Sequence, residues 1–356
     1  MRCPDCESFA THFFDTTRLY IYFPLDNSHA KFVSYIGKTS YQSEDLGDAV
    51  AITLSYDGIA PFLSEMQELF GNEEARQIKV LSKDEQDGTT ALTISDFKRV
   101  MPLSQLIGLA QARWLIDMLE EERYSSLLQP LYYNDGQQVY GYEALVRGYN
   151  QDGTQINPGA MFGAAETAQL IFQLDLAARR SAVHCAHAHG LPDDQMLFIN
   201  FNPSSIYDPT YCLKTTTSYI RELGMYPEQI VFEVTESGTV NDKEHLKGIL
   251  SYYRKSGFKV ALDDVGAGYS GLNMLEDVRP DFIKVDMHLV RDVDTDDYRQ
   301  NIVRSLIDMG HSNGAQVICE GVETAEELAW LQHHGADFIQ GFYLGRPAAG
   351  LAGTAA

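Results

Sequence analysis

Two adjacent carboxylates, Asp263 and Asp264, close the run Lys259-Val260-Ala261-Leu262-Asp263-Asp264-Val265-Gly266-Ala267-Gly268-Tyr269. The run reads as a short buried strand that breaks into a glycine-rich turn. Side chains alternate across a strand, so neighbouring carboxylates normally face opposite ways. At a strand end the twist relaxes and both can reach one mouth. A pair so placed repels itself and loses hydration unless a cation sits between the two groups. A solvated Asp-Asp turn after an edge strand explains the pair alone equally well. What separates the two readings is how often the pattern recurs.

It recurs along the whole second part of the chain. From Leu127 onward strand-like and helical runs alternate, the signature of βα units. The strand-like runs are 127–133, 139–146, 197–201, 230–235, 259–262, 282–286, 316–319 and 338–343. In or just after them stand Glu143 and Arg147; Asn200; Glu233 and Glu236; Asp263 and Asp264; Lys284 and Asp286; Glu320 and Glu323; and Gln340. Charged residues are seldom fully buried unless paired or bound to metal. Eight such strands over roughly 220 residues predict a (β/α)8-type barrel, whose strand ends converge on one mouth. The turn Asn134-Asp135-Gly136 is too short for a crossover helix, so the first two strands should pair antiparallel. Oxygen ligands without cysteine favour Mg²⁺ or Mn²⁺ over a thiolate zinc site. The Asp263-Asp264 pair permits one carboxylate to bridge two such ions, an arrangement suited to in-line displacement at phosphorus.

Composition narrows the rest. The 356 residues allow two domains or one large barrel with an appendage, and 44% hydrophobic content supports a full core. Net charge is −23, made of −9 in residues 1–128 and −14 beyond them. Neither part carries a basic footprint for duplex nucleic acid, so a phosphate-bearing ligand must be met by local groups or cations. No apolar run is long enough for a bilayer and no signal-peptide pattern opens the chain, which points to a cytoplasmic protein without a membrane partner. Five scattered cysteines fit a reducing compartment. Cys3 and Cys6, with His12 nearby, have half a zinc-site spacing, and a reduced pair near a terminus is the favoured reading. His184, Cys185, His187 and His189 read as solvated helix residues. The acidic run Asp292, Asp294, Asp296 and Asp297 reads as a helix start capped by Asp294 or Thr295.

Residues 1–102 form a small α/β unit in this reading. Strands are expected over 19–23, 31–36, 49–54 and 77–81, with turn chemistry at Asp26-Asn27-Ser28 and a polar loop over 83–88. Phe62, Met66 and Phe70 mark a helix. A long helix follows from about Leu103 to Ser125, within a connecting segment 103–126, and the barrel takes 127–350. The helix either couples the two units, or forms part of a dimer interface, or packs on its own domain. Asn241 with Glu244, and Thr324 with Glu327, have capping-box spacing at two helix starts.

The ordered motifs resemble one family. Gly141-Tyr142-Glu143-Ala144-Leu145-Val146-Arg147 is similar to the signature of EAL domains, bacterial cyclic-di-GMP phosphodiesterases. Gln129-Pro130, Phe198-Ile199-Asn200, Phe232-Glu233-Val234-Thr235-Glu236, Leu262-Asp263-Asp264-Val265-Gly266, Ile283-Lys284-Val285-Asp286, Glu320-Gly321-Val322-Glu323-Thr324 and Gln340-Gly341-Phe342 continue the likeness in the family's order. The resemblance implies a modified barrel with one antiparallel strand and conversion of cyclic di-GMP to linear pGpG. It implies two Mg²⁺ or Mn²⁺ ions per site, with Ca²⁺ inhibitory. Glu143, Asn200, Glu233 and Asp263 would hold the first ion; Asp263, Asp264 and Glu320 the second. Lys284 would hold the attacking water, and Glu236 would anchor the loop after the fifth strand. Gln129, Arg147, Asp286, Glu323 and Gln340 would contact substrate. A homodimer through the barrel is also implied. The chain departs from the family at Val265, Ala267 and Gly271 in the site loop, and at Gly148, where a tryptophan is common. A receptor that binds the nucleotide without cleaving it is the alternative; such members usually lack a ligand or the lysine, and this chain keeps them all.

Overall fold

A computed structural model describes residues 18–83, 96–203, 206, 209–235, 243–267 and 271–352. The chain forms two compact units. One takes residues up to Glu122 together with 159–171; the other takes 123–158 and everything from Phe172.

In the N-terminal unit β1 (Arg18–Tyr22), β2 (Gln42–Asp45), β3 (Ala49–Thr53), β4 (Lys79–Lys83) and β5 (Met101–Pro102) make an antiparallel sheet of order β2-β3-β1-β4-β5. Helices α1 (Asp26–Ile36), α2 (Ile59–Leu69) and α3 (Asn72–Gln77) complete it. Phe32 of α1 meets Phe62 of α2 edge to face at 6.4 Å, and Phe23 and Phe70 close the cluster. Tyr35 and Tyr41 both donate to the Glu65 carboxylate on α2, which ties α1 and the following loop to it.

Two expectations fail here. Residues 31–36 are helix, not strand. Phe32-Val33-Ser34-Tyr35-Ile36 is rich in aromatic and β-branched residues like a strand, yet the helix buries Ser28, Phe32 and Ile36, one per helical turn. Asp26 accordingly opens the helix at its positive end and does not make a turn. The single helix expected near 103–125 is two, α4 (Leu103–Gln111) and α5 (Arg113–Glu120), broken at Ala112. The chain already pairs as strand at Tyr124, because Tyr124, Ser125 and Ser126 extend the ladder opposite Gly148, Arg147 and Val146. The loop expected over 83–88 lies, past Lys83, outside the described residues, as do Cys3, Cys6 and His12.

α6 (Pro158–Thr167) belongs to this N-terminal unit although it is far along the chain. A Cβ on Gly108 of α4 would stand 2.7 Å from the Thr167 carbonyl oxygen, so only a hydrogen there allows the backbones to approach.

The second unit is a closed barrel in which all eight expected strands appear. They are β6 (Tyr124–Tyr133), β7 (Val139–Gly148), β8 (Met196–Asn200), β9 (Ile230–Thr235), β10 (Lys259–Val265), β11 (Phe282–Val285), β12 (Gln316–Cys319) and β13 (Phe338–Ile339). β6 runs antiparallel to both β7 and β13, as the short turn required, and the other pairs are parallel. The outer helices include α7 (Ile171–Ala188), α8 (Pro209–Glu222), α9 (Lys243–Lys255), α10 (Gly271–Val278), α11 (Met287–Val290), α12 (Asp297–Ser312) and α13 (Ala325–His333). Thr324 and Glu327 form the expected capping box on α13. Asp296, not Asp294 or Thr295, caps α12, because its carboxylate is the one that reaches the Tyr298 and Arg299 amides.

Inside the barrel Leu131, Tyr140, Phe198, Val231, Ala261, Phe282, Ile318 and Phe338 form one apolar cluster. Tyr140 stacks on Phe338 at 3.9 Å and Phe198 meets Phe282 at 5.3 Å. These side chains plug the barrel, so whatever stands one side-chain step further along the parallel strands faces the mouth over an apolar floor.

Candidate active site

That step brings the polar residues together. Two positions past Phe198 is Asn200, past Val231 is Glu233, past Ala261 is Asp263, and past Phe282 is Lys284. Ile318 leads to Glu320 and Phe338 to Gln340; on antiparallel β6, Leu131 is preceded by Gln129, which pairs with Glu143 of β7.

Lys284 is the hub. Its side chain is 1% exposed, with Nζ 2.7 Å from Glu233, 2.9 Å from Asp263, 2.7 Å from Glu320 and 3.6 Å from Glu143. Burial alone would lower the lysine, but the carboxylates of Asp263, Glu143, Glu233 and Glu320 outweigh it and hold its pKa well above the usual range. Four carboxylates exceed what one ammonium can neutralise. Burial, set against Lys284 and helped by Glu143 and Asp263, raises Glu233 well above the carboxylate range. Burial likewise pushes Glu320 up to about 8. Burial and the neighbouring Asp263 push Asp264 up to about 6.

Glu143 accepts from Asn200 Nδ2 at 3.1 Å and from Gln340 Nε2 at 2.9 Å. Those bonds turn the amide oxygens of Asn200 and Gln340 away from Glu143. Glu233 Oε2 and Gln340 Oε1 are buried with no hydrogen-bond partner among the described residues. Glu233 Oε1 and Asp263 Oδ1 meet the Lys284 ammonium at 2.7 and 2.9 Å, and these oxygens keep lone pairs for a cation. Ligand atoms of Asp263, Asp264 and Glu320 lie within 4.8 Å of one another, the sole such group of three among the described residues. An all-oxygen, proton-retaining, donor-poor cluster fits hard divalent cations. The histidines of α7 do not join it.

The adjacent carboxylates share the mouth for a reason not visible in the strand pattern. Asp264 has a left-handed backbone, φ 58°, and the β10–β11 register shifts between Leu262 and Val265. This bulge cancels the usual alternation. Gly266 follows at φ 102°, where a Cβ would meet the Leu289 side chain. Gly271 is the first residue of α10 and so belongs to a helix.

Several proposed contacts are already engaged. Gln129 donates to the Gly345 carbonyl at 3.3 Å. Arg147 donates to the Val146 carbonyl at 2.9 Å. Asp286 accepts from the His288 amide and from its ring Nδ1, at 2.9 and 2.8 Å. Glu323 is ion-paired with Arg291. Glu236 lies outside the described residues, as do Gly268 and Tyr269.

Sequence reasoning gave Glu327 only its place in a capping box and passed over Asp175 and Arg179. Glu327 is buried and accepts from the amides of Asp292, Glu323 and Thr324, joining the loops that follow β11 and β12. Asp175 and Arg179 form a buried ion pair on α7. Opposite charges four residues apart on an otherwise apolar helix were the available signal.

The profile of the EAL domain family matches residues 112–347, and the chain belongs to that family. A probable cyclic di-GMP phosphodiesterase of Escherichia coli K12, PdeG, is 34% identical over 212 residues, which is 58% of this chain and 41% of that protein. The signaling protein YkoW of Bacillus subtilis is 30% identical over 248 residues, 68% of this chain and 30% of that protein. The chain therefore spans less than half the length of these curated relatives. Among solved structures, a standalone EAL protein of Vibrio cholerae O395 in its c-di-GMP bound form is 34% identical. It superposes with a TM-score of 0.58 over 64% of this chain and 94% of its own. The BlrP1 manganese/cy-diGMP complex of Klebsiella pneumoniae is 25% identical, with a TM-score of 0.58 over 94% of this chain and 97% of its own. No described helix is long and apolar enough to cross a membrane.

Proposed function

We propose that the barrel hydrolyses cyclic di-GMP to linear pGpG with two divalent cations, Mg²⁺ or Mn²⁺. The observation that carries this is the ring of Glu143, Asn200, Glu233, Asp263, Asp264 and Glu320 around Lys284, with more carboxylate than one ammonium balances. Glu143, Asn200, Glu233 and Asp263 would hold one ion, and Asp263, Asp264 and Glu320 the other. When bound, the ions supply a hydroxide at neutral pH and stabilise the oxygens that gain charge in displacement at phosphorus.

The protein's own groups do the rest. Glu233 and Glu320 store protons until a cation enters and release them as it does. The Lys284 ammonium would hold and orient the attacking water. Asp263 would serve as a ligand to both ions. Gln129, Arg147, Asp286, Glu323 and Gln340 frame the substrate; Arg147 supplies the positive charge for a phosphate. The aromatic plug beneath keeps bulk water from the site's floor. Residues 1–102 act as a regulatory unit in this proposal, supported by their packing with 159–171, a segment lying between the strands that carry Glu143 and Asn200.

Incubating the purified chain with cyclic di-GMP and Mg²⁺ or Mn²⁺, and measuring pGpG, tests the reading. Turnover that survives excess chelator refutes the two-ion mechanism. Tight binding without pGpG assigns the chain to the receptors.

A further inference from the structure

We propose that the buried Asp175–Arg179 pair of α7 is a positioning element for Asn200, and thereby sets the affinity of the cation subsite made by Glu143, Asn200, Glu233 and Asp263. This rests on the two-ion reading given above.

Asn200 is the last residue of β8, so the residues after it decide where its amide points. Those residues are pinned from three sides. The Phe201 amide donates to the Glu233 carbonyl at 2.9 Å. The Phe201 ring packs against Tyr253 at 5.1 Å and Phe232 at 5.9 Å, and the Arg179 guanidinium lies 5.7 Å from its centroid. The Asn202 amide donates to Asp175 Oδ1 at 3.1 Å. The other Asp175 oxygen meets Arg179, with Nη2 to Oδ2 at 2.9 Å; the Arg179 side chain is 0% exposed and that of Asp175 5%.

The pair thus contributes two of the three constraints. An ion pair is a costly way to pack a helix on a strand, and apolar residues of similar volume do as well or better. What apolar residues cannot do is accept the Asn202 N–H in a fixed direction. Arg179 holds the Asp175 carboxylate in place for that bond, and its guanidinium lies over Phe201 as well. Asn200 is therefore presented with Nδ2 on Glu143, leaving Oδ1 as its ligand atom. Among the described residues Asn200 is linked to the second subsite through Glu143, Lys284 and the shared Asp263 and not directly, so that subsite should feel the pair less.

The experiment is a Mn²⁺ titration of the full chain, read by the EPR signal of the free aqua ion, with thermal melts in EDTA alongside. The variants are Asp175→Asn, Arg179→Lys, Asn200→Ala and the two doubles with Asn200→Ala. The wild type takes up two ions. In Asp175→Asn one of the two sites weakens, roughly 10- to 100-fold, as loss of a group orienting a ligand does, while the other weakens less. Arg179→Lys weakens the same site. In Asn200→Ala that site weakens, and adding either other change weakens it no further. If both sites keep wild-type affinity in the single variants, the proposal is overturned. Equal weakening of both sites, or effects that add to that of Asn200→Ala, overturns it as well. Should Asp175→Asn not fold, Arg179→Lys and its double variant decide by the same criteria. A wild type that takes up two ions but makes no pGpG defeats the phosphodiesterase reading and leaves the positioning role intact. One that takes up no Mn²⁺ defeats both.

Discussion

Replacing Lys284 by methionine removes the only cation among four carboxylates within 3.6 Å of it. At an effective dielectric of about 20, a contact at 2.9 Å such as that with Asp263 carries about 6 kcal/mol of attraction before desolvation. Returning the lysine's own desolvation cost leaves a net loss of about 3–5 kcal/mol, the usual result of breaking a buried ion pair from one side. With a melting shift of about 2–4 °C per kcal/mol, the variant should melt about 6–20 °C below wild type in EDTA. Saturating Mn²⁺ neutralises the same oxygens and should close most of that gap. Acid should close part of it too, since Glu233 and Glu320 neutralise themselves by taking up protons. Scanning fluorimetry of both proteins in EDTA and in Mn²⁺, at pH 5.5 and 8, reads all three effects. A metal-free melt within about 2 °C of wild type would falsify the hub assignment. So would a deficit that is the same with and without Mn²⁺.

Other outcomes follow from neighbouring geometry. Asp264→Gly should leave the metal-free melt at or above wild type, whereas Asp264→Ala should lower stability by about 1 kcal/mol relative to it, because alanine resists φ 58°; equal urea midpoints would contradict the strained turn. Asp264 and Glu320, pushed up to about 6 and about 8, stabilise the metal-free fold fully below the unfolded value near 4, and lose that as pH climbs through the folded values. EDTA melts should therefore fall between about pH 4 and 8 while Mn²⁺ affinity climbs over the same window; affinity flat with pH argues against proton storage. A Cβ at Gly341 would fall on the Val322 backbone, so Gly341→Ala should cost about 1–3 kcal/mol by overpacking and shift Gln340 off Glu143, visible as a lowered urea midpoint and weaker Mn²⁺ uptake.

Much of the barrel was legible because its strands obey one rule. An apolar residue that plugs the interior is followed two positions later by a polar one that faces the mouth, as in Phe198 and Asn200 or Phe282 and Lys284. The periodicity of two and the run of acidic strand ends therefore carried the same message. What stayed hidden depended on backbone geometry or on partners distant in sequence. The left-handed turn at Asp264 has no marker, since aspartate is common in ordinary turns. Residues 31–36 have the aromatic and β-branched content of a strand, and only tertiary burial of Phe32 and Ile36 on one face decides for helix. The early strand at Tyr124 reflects pairing with β7, which local helix propensity cannot anticipate. Asp175 and Arg179 went unremarked because their burial depends on Phe201 and Asn202, which lie more than 20 residues away in sequence.

The placement of α6 bears on how this chain could be cut or recombined. Its thirteen-residue neighbourhood, 159–171, is threaded through the barrel's chain between β7 and β8 yet is counted with the N-terminal unit. Severing the chain at Tyr124 would not yield one intact unit and one lost one. It would strip Met161, Ala165 and Leu170, all buried, of part of the surface that covers them, and leave an apolar loop on an otherwise complete barrel. The two units are thus inherited as an interleaved pair, and any exchange of the N-terminal unit for another must carry a matching replacement for 159–171.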